Sequence, residues 1–254
     1  MNPSVDAHGG RFVPLAGTMN ARDLGGLPLR GGGRTRVGHL YRSDAPLRWE
    51  HGDPERLERL GLSTVVDLRE LHELEREPNV LATTAGVRVH HVEVWRRIHA
   101  SGIAPSDPWD ITAFYLAALD HAGDAFAQAI EVLAGAPGAA LFHCTAGKDR
   151  TGVLALLVLD LVGVDRDAVI EDFALTETRI EPIRERLLRD AELRGIAKRD
   201  FIRLLGATPD LIEPAIDHLE RRHGGAEAYL HRHGASDRAL AGLRTKLRDP
   251  SPSR

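Results

Sequence analysis

Residues 143–152 read His-Cys-Thr-Ala-Gly-Lys-Asp-Arg-Thr-Gly and hold the one cysteine of the chain, Cys144. A short apolar run (139–142) leads into them and a longer one (153–159) leads out. A strand that ends in a tight loop and turns into a helix aims successive backbone N–H groups at one point, where the helix N-terminus adds partial positive charge. That is an anion site, at the carboxyl end of a strand, where α/β sheets place ligands. The same field acts on sulfur: a thiol at a helix N-terminus has its pKa drawn from about 8.5 toward roughly 3.5–7.5. Cys144 is therefore expected to be a thiolate nucleophile that needs no dedicated base. Arg150, at the start of the helix, is expected to fork two N–H donors onto phosphate oxygens. The loop Thr145, Ala146, Gly147, Lys148, Asp149, Arg150 and Thr151 is read as the phosphate cradle. The Thr151 hydroxyl is expected to come near the sulfur once the loop closes, where it would stabilise the thiolate as it departs. Gly147 lets the backbone curl, and Gly152 lets the helix start pack closely. The plain alternative, a buried inert cysteine at a strand end, leaves a lysine, an aspartate and an arginine in one turn without explanation.

The flanking elements support such a loop. Thr64 to Leu68 is a β-branched run that reads as a buried strand, 87–94 as another whose alternation slips at His91-Val92, and 139–143 as a third. Between them, Asp53-Pro54 starts a helix that Gly61 ends, and a charged helix follows over about 70–77. Apolar residues at 111, 115, 119, 122, 126, 130 and 133 predict one long helix after a loop at 96–110. The stretch 151–161 is apolar all round and reads as a helix buried on every side. Beyond Gly163 the patterns are helical, with Thr208-Pro209 and Ser236 as helix starts. Alternating strands and helices predict an α/β fold with a mainly parallel central sheet flanked by helices, the loop between a central strand and a buried helix, and a helical C-terminal region. One domain over 1–248 and a disordered tail over 249–254 are expected. A net charge of -4 gives no reason to expect nucleic acid as a partner. A single cysteine excludes an internal disulfide, and no Cys/His cluster has zinc spacing, so no metal or other cofactor is expected. Neither a signal peptide nor an integral membrane segment is apparent, which makes the cytoplasm the default location, with secretion lacking a cleaved signal as the alternative.

The loop H-C-x-x-G-x-x-R-[ST]-G resembles the signature of cysteine-dependent protein tyrosine and dual-specificity phosphatases. Its variant here resembles a bacterial group related to the secreted mycobacterial phosphatase that acts on tyrosine, serine/threonine and phosphoinositide phosphates. "NARDLGG" (20–26), "LYRSDAP" (40–46), "VVDLRE" (65–70) and "GG…YL" (224–230) are similar to the same group. The resemblance implies metal-free phosphate-monoester hydrolysis in two steps: Cys144 forms a phosphocysteine, Arg150 and the loop amides stabilise the equatorial oxygens, and water releases phosphate. Partners would be a phosphorylated protein or peptide, or a phosphoinositide.

The leaving oxygen needs a proton, and three carboxyls compete to supply it. Asp149 lies in the loop and ranks first, by similarity to the Asp-Arg pair in lipid phosphatase loops. Asp110, in "DPWD", precedes the helix that leads to the loop strand, where ordinary tyrosine phosphatases carry a mobile acid; its plain reading is a helix cap. Asp67 ends a neighbouring strand, and its plain reading is an ion-pair member. Lys148 is either a second cation facing the pocket, as in phosphoinositide phosphatases, or a lysine turned to solvent. His143 is expected to stiffen the loop by hydrogen bonding. Asn20, Arg22 and Asp23, and likewise Arg42 and Asp44, either buttress the loop or cap the Gly25-Gly26 turn. The amphipathic stretch 179–203, with eight basic and five acidic residues, is either a helical lid (about 176–206) or a solvated face with i,i+4 ion pairs. Rival functions are a silent phosphotyrosine-binding module, a phosphoinositide-only phosphatase, a rhodanese-like sulfur enzyme, and a redox sensor, for which no resolving cysteine is present.

Overall fold

The computed structural model describes residues 10–100, 110–193 and 195–249. In chain order the elements are β1 (Arg22–Asp23), β2 (Leu40–Ser43), α1 (Asp53–Leu60), β3 (Leu62–Asp67), α2 (Leu71–Arg76), β4 (Arg88–His91), α3 (Trp95–Ala100), α4 (Ile111–His121), α5 (Gly123–Gly135) and β5 (Ala139–His143). There follow α6 (Asp149–Val162), α7 (Arg166–Ala174), α8 (Glu177–Leu193), α9 (Lys198–Ile202), α10 (Pro209–His218), α11 (Ala226–Arg232) and α12 (Asp237–Leu247). The strands form one sheet in the order β1-β2-β5-β3-β4. The β1–β2 pair is antiparallel and the other three pairs are parallel. This is the expected α/β architecture, with helices packed about a mainly parallel sheet.

The register decides where chemistry can occur. Ser43, His143 and Asp67 lie level across β2, β5 and β3. The chain therefore leaves three adjacent strands at one edge, at Asp44, Cys144 and Leu68. The middle strand β5 is buried along its whole length, and it feeds α6, where every residue except Asp149 and Asp160 is buried. Asp160 is the charge inside the most apolar helix. It accepts the Ala226 N–H at 2.8 Å and pairs with Arg30 at 3.0 Å, so it fastens α6 to the start of α11 and to the N-terminal region.

Helix α1 starts and stops as its sequence dictates: Pro54 lies in its first turn and Gly61 follows it in a left-handed conformation (φ 60°). The Ser236 hydroxyl caps α12 through the Ala239 N–H at 3.2 Å. Thr208 precedes α10 without a side-chain cap, and Pro209 opens that helix. The strand expected over 87–94 is confined to β4, which ends at the His91-Val92 slip. The loop expected at 96–110 contains α3 in its first part, and 101–109 falls outside the described residues. The single helix expected over 111–133 is two helices that meet at Ala122 (φ −113°). Gly123 there lies against His233, whose ring would be 2.3 Å from any added Cβ. That long-range contact is absent from the local periodicity.

A charged centre sits beneath the sheet edge. Asp172 of α7 is buried and pairs with Arg42 at 2.8 Å, with Arg22 at 3.1 Å and with Arg11. Burial pushes its carboxyl up, and the three guanidinium groups more than offset this, holding it far below the usual carboxylate range. In return, burial and the neighbouring Arg42 draw Arg22 down to about 9. Removing one member of such a buried set leaves uncompensated charge. Asp172→Asn is expected to lower the unfolding free energy by about 3–5 kcal/mol, read from the urea midpoint; a change within about 0.5 kcal/mol, as for a surface substitution, would contradict this account.

Candidate active site

Cys144 is 2% exposed and lies at the floor of a cleft of about 390 Å³. Thr145, Ala146, Lys148, Asp149 and Arg150 line the cleft with it, so the structure gathers most of the predicted loop around one space. Gly147 has φ 68°, and an added Cβ would lie 2.6 Å from the Ser43 carbonyl group and from the Asp44 nitrogen. Both the conformation and the clearance require glycine there. Gly152 packs under Phe173, whose ring would be 3.1 Å from an added Cβ.

The loop turns its carbonyls outward, and each has a donor. The His143 oxygen accepts from Leu68 N–H at 2.8 Å, and the Thr145 oxygen from Ala45 N–H at 3.2 Å. The Asn20 amide donates to the oxygens of Ala146 and Gly147 at 3.1 and 3.2 Å, and Arg42 donates to Gly147 at 2.8 Å. His143 Nδ1 lies 3.1 Å from the Cys144 oxygen. Among the described residues, the backbone N–H groups of Thr145 to Lys148 have no protein acceptor. They remain available to an anion.

Arg150 carries the clamp. Its terminal nitrogens grip the Glu73 carboxylate, with Nη2 at 2.9 Å and Nη1 at 2.5 Å. Its Nε is buried with no hydrogen-bond partner, as is the Thr151 hydroxyl. Buried donors of this kind are satisfied in nearly all native proteins, so the loop holds two polar groups that match an oxyanion. Burial pushes the Arg150 pKa down, and Glu73 more than offsets it, so the guanidinium is held above its ordinary value. For Glu73, burial pushes the carboxyl up, and its bonds to Arg150 and to the Thr145 hydroxyl bring it to about 2.

The predicted acids fall in three different places. Asp149 lines the cleft, accepts the Tyr115 hydroxyl at 2.7 Å and lies 3.0 Å from Lys148 Nζ. Burial and the neighbouring Asp149 raise the Tyr115 pKa well above its ordinary value, which keeps that hydroxyl a donor. Asp110 does not line the cleft; it caps α4 through the Ala113 N–H at 3.0 Å and is exposed. Its helix-cap reading is the one that fits. Asp67 is fully buried behind the loop, held by Arg69 at 2.7 and 2.9 Å and 3.2 Å from His143 Nε2. Burial pushes it up, and His143 and Arg69 outweigh that, keeping it far below the usual range. An acid so placed has no path to the leaving group; its ion-pair reading fits.

Other side chains divide likewise. Lys148 lines the cleft but is not turned to solvent. It is 1% exposed and donates to the Gly206 oxygen at 2.9 Å and to the Leu204 oxygen at 2.5 Å. Asn20 and Arg22 buttress the loop, since Arg22 holds the Asn20 side-chain oxygen at 2.5 Å and Asp44 fixes the Asn20 N–H at 2.8 Å. Asp23 serves the turn instead, accepting the N–H groups of Gly25 and Gly38, each at 2.7 Å. Helix α8 buries Ile180, Ile183, Leu187, Leu188 and Ala191, and its apolar cluster packs against Ala146. The 179–203 stretch therefore sits over the loop and is not a wholly solvated face. Glu73, Tyr115, Asn79 and Asp172 are not singled out by sequence pattern. Asn79 holds His143 Nε2 at 2.9 Å. The capping-box pair Glu70/Glu73 is a signal for Glu73, but it points to a helix start.

Among the described residues, Asp120, His218 and His223 come close enough to hold a metal. They stand at the far end of α4 from the cleft, and Arg222 lies 3.1 Å from the Asp120 oxygen as a counter-charge. No described helix is long and apolar enough to cross a membrane.

The model of a family described as the tyrosine phosphatase family matches residues 13–249. A protein of Cupriavidus necator named as a tyrosine-protein phosphatase is 34% identical over 224 residues, covering 83% of this chain and 80% of the relative. A tyrosine-protein phosphatase of Nostoc commune is 28% identical, covering 79% and 71%. The triple specificity protein phosphatase PtpB of Mycobacterium tuberculosis is 26% identical, covering 92% and 98%.

The clearance at Gly147 makes a test. Gly147→Ala should lower turnover of an aryl phosphate roughly 100-fold, the scale of a 1 Å misplacement, whereas Gly32→Ala, where an added Cβ meets nothing within 4 Å, should leave it near wild type. Equal turnover in the two variants would show that the loop does not depend on that close approach.

Proposed function

The chain belongs to the tyrosine phosphatase family, and from that premise we propose that it hydrolyses aromatic phosphate monoesters, phosphotyrosine in proteins or peptides above all, through a phosphocysteine at Cys144. The observation that carries this reading is a cysteine that lines the cleft with Arg150, whose Nε is buried and unpartnered, as is the hydroxyl of the next residue, Thr151. The Cys144 sulfur attacks phosphorus as the P–O bond to the tyrosine oxygen breaks. Asp149 gives that oxygen its proton. The free loop N–H groups and Arg150 hold the equatorial oxygens, whose charge is greatest in transit. Water then attacks the phosphocysteine and yields its proton to the Asp149 carboxylate. The S–P bond breaks, inorganic phosphate leaves, and Thr151 donates to the returning thiolate.

Two features favour an aryl ester with one phosphate. The walls above Cys144 are apolar and aromatic, including Trp95, Phe114, Leu187 and Phe201. The charged lining is mostly acidic: Glu70, Glu73, Asp149 and Asp190 face the space, against Lys148 and Arg150. Lys148 is committed to the carbonyls of Leu204 and Gly206. A multiply phosphorylated inositol would bring extra negative charge to carboxylates with no further free cation among the lining residues. The phosphoserine/threonine and phosphoinositide activities that the loop resemblance implies are the second reading, and one relative is named a triple specificity protein phosphatase.

Three measurements test this. Hydrolysis of p-nitrophenyl phosphate with a burst of p-nitrophenol, abolished in Cys144→Ser, is expected; no turnover by wild type would sink the phosphatase reading. Asp149→Asn should slow esters of poor leaving groups about 10²–10⁴-fold and p-nitrophenyl phosphate much less; equal losses would remove Asp149 as the proton donor. Phosphotyrosyl peptides should exceed soluble phosphatidylinositol trisphosphate analogues in kcat/KM, and the reverse order would overturn the single-phosphate preference.

A further inference from the structure

Away from the cleft, the C-terminal end of α4 meets the end of α10. The chain does not leave its helical path at His218. It runs on as one π-helical turn, Leu219–His223, after which the Gly224 N–H reaches the Leu219 carbonyl five residues back. That turn decides which side chains meet. In an α-helix, residues five apart point about 140° away from each other. In a π turn, whose hydrogen bonds span five residues, they lie over one another, and such turns are rare and recur at functional sites. His218 and His223 are five apart, and their rings stand edge to face with centroids 5.4 Å apart.

Both rings bring Nε2 to one carboxylate oxygen, Asp120 Oδ1 of α4, at 2.9 Å for His218 and 3.3 Å for His223. The three ligand atoms all lie within 4.8 Å of one another. The side chain of His223 is 7% exposed, and its Nε2 is buried without a hydrogen-bond partner, so the approach to Asp120 is close without being a hydrogen bond. Orphaned buried nitrogens are rare in native proteins. This one faces a carboxylate and a second imidazole.

The spacing suits a first-row divalent cation. Ligand atoms bound to zinc at tetrahedral angles sit about 3.4 Å from one another. The His223–Asp120 pair already has nearly that separation, and the His218–Asp120 pair needs to open by about 0.4 Å. Two imidazoles and one carboxylate match zinc, whereas magnesium and calcium take oxygen ligands. The cation that competes is Arg222, whose Nε lies 3.1 Å from Asp120 Oδ1 on a largely exposed side chain that is free to swing away. Zinc on Nε2 of His223 leaves the ring proton on Nδ1, where Arg232, also exposed, now lies at 3.3 Å and must turn outward.

We propose that Asp120, His218 and His223 form a zinc site, with the two Nε2 atoms and an Asp120 oxygen as protein ligands and a water in the fourth position, which ties the end of α4 to the π turn after α10. The role is structural. It adds no step to phosphate hydrolysis.

The test titrates the tag-free full chain with zinc chloride against a chromophoric chelator. Cys144→Ser is the parent for every variant, so that the cleft offers no thiolate to zinc. One equivalent should bind with micromolar affinity or tighter, and the urea midpoint should rise with zinc. His223→Gln and Asp120→Asn should each weaken binding at least 10-fold, roughly the smallest loss expected from disturbing even an outer partner of a metal ligand, and should lose the midpoint shift. Arg222→Met removes the competing cation and should bind zinc more tightly, by up to about 5-fold, the worth of an exposed ion pair. It lies at the surface and keeps the test decisive if a ligand variant folds poorly, which urea midpoints without zinc report. No binding to the parent, equal affinity in the parent and both ligand variants, or weaker binding in Arg222→Met would make the cluster an ion-pair hub and overturn the proposal. None of these measurements uses turnover, so the outcome is independent of the phosphatase reading.

Discussion

A loop that turns its N–H groups toward one point must turn its carbonyls away from it, and here they turn into the protein. Each buried carbonyl then needs a donor. The oxygens of His143 through Gly147 find theirs in Leu68, Ala45, Asn20, Arg42 and the His143 ring. This requirement explains why so many polar groups lie beneath an apolar sheet edge. It also explains the register of the sheet, because β2 and β3 must end level with β5 for Ala45 and Leu68 to reach the loop.

Satisfying the carbonyls creates the next problem. Arg42 and Arg22 are buried cations packed side by side, and buried charge without a counter-charge is costly. Asp172 resolves this by pairing with both, from a helix that begins only after α6 is complete. The order of compensation runs from loop carbonyls to guanidinium groups to one carboxylate, and it places positive charge behind the anion site. In front the logic is inverted. Arg150 is the cation that lines the cleft beside Cys144, and Glu73 balances it at its two terminal nitrogens. Lys148, the remaining loop cation, is neutralised in place by two carbonyls and Asp149. The cradle is therefore cationic at one point within an acidic rim.

The loop itself was legible because its chemistry is local: a strand end, a glycine at positive φ and a helix start within ten residues. Helix α1 was legible for the same reason, through Pro54 and Gly61. What was not legible depends on partners far along the chain. The break at Ala122 lies where Gly123 packs against His233, 110 residues on in the chain. The direction of Lys148 is set by carbonyls 56 and 58 residues away. Glu73 reads as one charge among many in a polar helix, and the sequence does not say that its carboxylate meets an arginine 77 residues on. Asp67 and Asp110 had sound local alternatives, an ion pair and a helix cap, and each matches its observed contacts. Of the three carboxyls, Asp149 is the one whose place in the loop brings it to the cleft.

The loop is held differently on its two sides. Behind, its donors are buried groups of the sheet edge, Asn20 and Arg42, locked by Asp44 and Asp172. In front, it meets the partly exposed Arg186 on the Thr145 oxygen, the buried Leu187 cluster on Ala146, and the Leu204 and Gly206 carbonyls on Lys148. Exposed ion pairs are weak and screened by salt, whereas a buried set is disrupted only at the cost of stranded charge. The buried set behind the loop therefore holds the N–H cradle more firmly than the partly exposed ion pairs in front of it.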